Sequence, residues 1–145
     1  MGLDMYLRAR RYVSGWKRIS TDEEKNEWET MLGLFGMENF MTEDSPHGYV
    51  EFCVGYWRKA HDVHRWFVQN AQNGVDECQS TEVTREQLEE LRTESLRVLA
   101  DLGGVSPEDD NELGWTAYQY RQTVDQIDKA LKLDSGWELI YQASW

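Results

Sequence analysis

The stretch GYWRKAHDVHRWF, Gly55 to Phe67, gathers two Trp, two His, two Arg and a Lys in a chain whose formal net charge is −12. Those residue types suit recognition of a flat anion. Trp stacks on a planar ring, Arg forks phosphate oxygens bidentately, and His donates hydrogen bonds that switch near neutral pH. Read as one helix from about Tyr56 to Asn70, the spacing puts Tyr56, Ala60, Val63, Phe67 and Ala71 on a core face. Trp57, His64 and Val68 then run along one edge, with His61 next round the cylinder. Arg58 and Arg65 follow, one above the other at i, i+7, while Lys59 and Trp66 take the opposite edge. Trp57, His61 and His64 are thus expected to project together between two guanidinium groups. The bland alternatives are Trp57 and Trp66 in the core and an Arg pair bound to acids elsewhere.

A second basic cluster lies near the start. Residues 6–18 hold five cations and no acid. Tyr6, Arg8 and Arg10 share one face of an alternating segment, and if that segment pairs beside the second strand, both clusters line one pocket. The candidate ligand-binding residues are Tyr6, Arg8, Arg10, Trp57, Arg58, Lys59, His61, His64 and Arg65. His61 and His64 stand at i, i+3, a plausible metal pair, but no HExxH, third His or Cys cluster completes a set, so no metal is assigned. His47, His61 and His64 could each act as a general base. No nucleophile motif, P-loop or dinucleotide fingerprint accompanies them, so no catalytic residue and no cofactor is assigned. A nucleotide-cleaving enzyme built on His61 and His64 stands as an alternative.

The elements that must position these groups can be read from periodicity. LDMYLRARRYV alternates, with Leu3, Met5, Leu7 and Ala9 on one face, which predicts a half-buried strand. A helix is expected from Thr21 or Asp22, weakened by Gly33 and Gly36, and TEDSPHG reads as a loop. YVEFCVGY predicts a second strand. Asn73-Gly74 stops the helix that follows. In TREQLEELRTESLRVLADLGG, Thr84 and Gln87 form a capping box, and Leu88, Leu91, Val98, Leu99 and Leu102 make the apolar stripe. SPEDDNE is a loop or a capped helix start. Ala117, Tyr120, Val124, Ile127 and Leu131 recur at helical spacing, and Trp137, Leu139, Tyr141 and Ala143 alternate in a closing strand. The order β-α-β-α-α-α-β predicts an α+β fold, a partly antiparallel sheet of about three strands with four helices. The 145 residues fit a single domain.

Charge and composition narrow the partners. Residues 1–66 carry 9 Lys/Arg and 11 Asp/Glu, a net of −2, and residues 67–145 carry 6 and 16, a net of −10. The acidic half disfavours generic DNA or RNA binding, which draws its affinity from phosphate neutralisation. Its sharper reading is a nucleic-acid mimic. No apolar run approaches the roughly 20 residues a membrane span needs, and MGLDMYLRAR lacks the order of a signal peptide. A cytoplasmic protein without a membrane partner is expected. Cys53 and Cys78 are isolated and read as buried or half-buried free thiols.

GLDMYL, GYWRKAHDVHRWF, QNGVDEC, TREQLEEL and the terminal YQASW together resemble a family of small proteins encoded by bacteriophages and bacterial genomes. The resemblance covers most of the chain and carries no chemistry of its own. In that family the position of His61 is often Asn, whereas Tyr56, Trp57, Arg58, Lys59, His64 and Trp66 match, so the resemblance implies that His61 is dispensable. It also implies that Asp4 and Tyr6 meet Tyr141, Ser144 and Trp145 in neighbouring strands. The implied setting is the bacterial host cell during infection, and the implied role is counter-defence. One mechanism is sequestration, without turnover, of a small anionic signalling nucleotide of the cyclic oligonucleotide or cyclic ADP-ribose type. The other is an acidic inhibitor that occupies a host defence nuclease, anti-CRISPR-like. A homo-oligomer with pockets between subunits stays open.

Overall fold

The computed structural model describes residues 2–14, 21–37, 39 and 47–145. Lys17, Arg18 and most of the TEDSPHG loop lie outside them. The elements are β1 (Asp4–Ser14), α1 (Asp22–Leu34), β2 (His47–Arg58), α2 (His61–Asn70), β3 (Thr81–Glu82), α3 (Arg85–Asp101), α4 (Glu112–Ala130) and β4 (Glu138–Ser144). The fold is α+β, with a four-stranded antiparallel sheet in the order β2-β1-β4-β3. The strand beyond the three expected is β3, two residues pairing Thr81 with Tyr141 and Glu82 with Ile140. Two residues are too short to show a period of two.

The chain forms two compact units. The larger one comprises residues 1–9 and 52–145. Its core is the face of the sheet foreseen from alternation: Leu3, Met5, Leu7 and Ala9 of β1, and Leu139, Tyr141 and Ala143 of β4, all at most 5% exposed. Against them pack Val63 and Phe67 of α2, Leu88 and Leu91 of α3, and Ile127 of α4. Such burial supplies the main favourable term, about 1.5–3 kcal/mol for each large apolar side chain. Thr84 and Gln87 close the expected capping box on α3. Of the two readings of SPEDDNE, the loop is the one found. Ser106-Pro107 lies in a turn, and Asn111 caps the helix by accepting from the Gly114 N–H.

The smaller unit, residues 10–51, holds the far end of β1, α1 and the start of β2. Thr21 and Glu24 form a capping box on α1. Leu32 and Val13 are its buried apolar residues among those described. Tyr12 packs edge-on against Tyr49 at 5.4 Å, and Arg11 pairs with Glu27.

The principal correction concerns residues 56–60. Tyr56, Trp57 and Arg58 belong to β2, and the helix starts only at His61. Ala60, Val63 and Phe67 do face the core, but Tyr56 is 41% exposed. The apparent helical spacing runs across a break at Lys59, whose φ of 56° lies in the left-handed region that a helix cannot pass. In a strand, Trp57 points into the core and its neighbours Tyr56 and Arg58 point away.

Candidate functional site

The expected cluster of Trp57, His61 and His64 does not form. Trp57 is completely buried; its Nε1–H donates to Thr123 Oγ1 at 2.9 Å, and its ring packs edge-on against Phe67. It is a core residue, shielded from any ligand. His64 is 8% exposed and fully engaged: Nδ1 lies 2.7 Å from the Tyr141 hydroxyl and Nε2 3.0 Å from Asp76. His61 is exposed at the first turn of α2, and Arg65, also exposed, donates to Asp62 at 3.0 Å. Lys59 sits in the turn between β2 and α2, its N–H donating to the Leu3 carbonyl and its carbonyl accepting from Gln119. Cys53 is exposed rather than buried, and both thiols are free.

Two of the expected residues, Tyr6 and Arg8, do converge with one that was missed, Tyr56. On the sheet face turned away from the core, the Arg8 guanidinium lies 5.3 Å from the centre of the Tyr6 ring. Tyr6 in turn packs at 5.4 Å, tilted by 46°, against Tyr56. The Tyr56 hydroxyl donates to Asp4 at 2.5 Å. That hydrogen bond, followed by burial, raises the hydroxyl above its ordinary pKa, while the charge of nearby Arg58 pulls the other way. Tyr56 is therefore a neutral phenol at physiological pH. Arg8 also donates to Gln142 Oε1 at 2.6 Å, and Gln142 donates to the Cys78 carbonyl, so β4 holds the guanidinium in place. The sheet order supplies both adjacencies that bring these residues together: β1–β2, which the sequence posed only as a condition, and β1–β4, which the resemblance implied. Arg10 belongs to the smaller unit, where it lies 5.3 Å from the Tyr49 ring and pairs with Glu51 at 2.9 Å.

A cation above tilted rings is electrostatically favourable, about 0.5–1 kcal/mol at exposed sites. The same arrangement places two aromatic rings, tilted to each other, beside a fixed charge. Aromatic residues on an open sheet face are a general device for stacking nucleobases.

Sequence reasoning missed a groove of about 580 Å³ between β2 and α4. Tyr118, Gln122, Asp125 and Lys129 line it, and with Trp115 they recur at spacings of three and four, a helical stripe beside the apolar one. Trp115 and Tyr118 stack at 5.4 Å and are both about half exposed. At the β2 edge, Gln126 accepts through Oε1 from the Tyr56 N–H and donates through Nε2 to the Tyr56 carbonyl at 2.8 Å. No group of three or more His, Cys, Asp or Glu able to hold a metal occurs among the described residues. None of their helices is long and apolar enough to cross a membrane. Compared with family models, curated proteins and solved structures, the chain has no match.

Proposed function

We propose that this protein binds a small anionic ligand carrying a flat ring, of the signalling-nucleotide class, and holds it without turnover. The observation that supports this reading is the Arg8–Tyr6–Tyr56 arrangement, with the guanidinium 5.3 Å from one ring of a packed pair. Tyr6 and Tyr56 stack the base, and Arg8 and Arg58 meet the phosphates. Trp57 and His64, engaged in the core, contribute stability to the platform rather than contacts. The biological setting we infer, counter-defence inside an infected bacterial cell, rests on the resemblance of GLDMYL and GYWRKAHDVHRWF to phage-encoded proteins.

The test is retention. The pure protein is incubated with cyclic di- and trinucleotides and cyclic ADP-ribose isomers, filtered and heat-denatured, and the released material is identified by mass spectrometry. One nucleotide is expected intact, with affinity reduced about tenfold or more by Tyr6→Ala or Arg8→Ala, since one stacked base is worth about 1–3 kcal/mol. These variants keep their thermal stability, whereas Trp57→Ala loses about 3–5 kcal/mol of it. Retention indifferent to Tyr6 and Arg8 would overturn the assignment, and a converted product would indicate an enzyme.

A second reading, the acidic inhibitor of a host nuclease, has its own support. Trp66 with Glu86, Glu89, Glu90 and Glu94 lines a surface hollow of about 520 Å³ on α2 and α3. On that reading, reversing these acids to Lys abolishes inhibition of the nuclease while Arg8→Ala does not.

A further inference from the structure

Among the described residues β2 is an edge strand, with β1 on one side of its backbone and no strand on the other. Such an edge is a template for another extended chain. At Tyr56 the outward N–H and carbonyl are occupied by the Gln126 carboxamide, which also leaves room for Gln122 to donate to the same carbonyl at 3.2 Å. One amide therefore receives from and donates to one residue, the two-bond exchange by which paired strand residues meet. The side chain of Gln126 stands where the main chain of a neighbouring strand would stand. Val54, two residues before Tyr56 on the same strand, also lines the groove.

The opposite wall carries charge of the unexpected sign. Arg121 and Lys129 are exposed, line the groove, and have no ion pair or hydrogen bond from their side chains among the described residues. Asp125 lies on the same wall, which leaves that stretch with one net positive charge in a chain of −12. Eight residues of helix separate the two cations, about 12 Å, the length of roughly four residues of extended chain.

We propose that the groove between β2 and α4 binds an extended acidic peptide of a partner protein, which adds to the β2 edge at Val54 with its carboxylates toward Arg121 and Lys129. Main-chain hydrogen bonds supply the common part of the affinity and the cations supply selectivity for acidic sequences. Gln126 marks where the pairing stops, because the Tyr56 backbone is already satisfied. This site borders the Tyr6–Tyr56 platform at Tyr56 but uses neither Tyr6 nor Arg8.

The experiment uses the full chain and a fluorescein-labelled, acetylated Glu-Val-Glu-Val-Glu-Val amide, followed by anisotropy. Two further peptides carry N-methyl groups on alternate amides, one in each register. Saturable binding is expected, lost about tenfold or more in one N-methyl register and retained in the other, because only one set of N–H groups faces β2. Replacing Glu by Lys in the peptide weakens binding, and the Arg121→Glu, Lys129→Glu double variant reverses that preference. Both substituted residues are exposed, so the variant folds; circular dichroism confirms it. The proposal is overturned if the peptide does not saturate, if both N-methyl registers behave alike, or if charge reversal has no effect. Sedimentation showing a second copy on this edge that the peptide cannot displace would overturn it too.

Discussion

The hydroxyl of Tyr141 lies 2.7 Å from Nδ1 of His64, and the carboxylate of Asp76 lies 3.0 Å from Nε2 of the same ring. The chemistry of the partners allocates the protons. Burial, with the Asp76 charge adding to it, keeps the Tyr141 hydroxyl protonated well above its ordinary range, so it donates to Nδ1. The ionised carboxylate can only accept, so Nε2 carries the hydrogen. Phe67 stacks on Tyr141 at 3.8 Å and fixes the ring that holds the hydroxyl. Tyr141→Phe removes the donor and leaves Nδ1 an unsatisfied acceptor at a site only 8% exposed. The expected loss is about 1–3 kcal/mol, read as a lower urea midpoint with an unchanged slope. An unchanged midpoint would mean that water or a shifted ring satisfies Nδ1.

Asp76 links the same group to acid stability. Burial acts to raise its pKa, but hydrogen bonds from His64 and from Trp145 Nε1, at 3.1 Å, outweigh it and hold the carboxyl below its ordinary value. The folded value lies below the unfolded one. Its stabilisation is therefore fully present above the unfolded value, near pH 3.9, and is lost as pH falls through the folded value. Wild-type protein is expected to lose stability faster than Asp76→Asn as pH drops below about 4. Parallel curves from thermal melts across that range would remove Asp76 from the acid response.

Gly55 and Gln126 form a coupled pair. A Cβ at Gly55 would stand 2.9 Å from Gln126 Oε1, 3.1 Å from Leu7 Cβ and 3.2 Å from Trp57 Cη2. The flexible Gln126 yields first and gives up its two bonds to Tyr56. Gly55→Ala should therefore cost about 1–3 kcal/mol. In a double-mutant cycle, Gln126→Ala recovers part of that loss, because the clash and the bonds are then removed together. Strict additivity of the two substitutions would separate them.

Much of the fold was readable where one local pattern decides the outcome. The alternation in β1, the Thr84–Gln87 box and the Leu88/Leu91 stripe each need only neighbouring residues, and each appears as expected. Trp57 misled because Tyr56 happens to fall at helical spacing from Ala60, Val63 and Phe67. The break at Lys59 is a left-handed turn made by a residue that does not advertise it, where Gly would have. His64 was singled out as a donor to a ligand, whereas its ring is held by Asp76 and Tyr141, partners that lie 12 and 77 residues away and that no local pattern points to. The stripe from Trp115 to Lys129 was present in the sequence. It lay outside the apolar period, and its meaning depends on the β2 edge, which only the sheet order places.

That sheet order also bears on how the protein is made. The two inner strands, β1 and β4, come from opposite ends of the described chain, so that Arg8 reaches Gln142 across 134 positions. The smaller unit, residues 10–51, is one continuous stretch of chain and is synthesised before residues 52–145. The larger unit is interrupted by it and lacks an inner strand until residues 138–144 emerge. Until then the apolar face of β1 has no β4 beside it, a long-range closure of the kind that slows folding and exposes intermediates to aggregation. Nascent chains of this protein would therefore meet chaperones through Leu3, Met5 and Leu7, and would stop doing so once Tyr141 has docked.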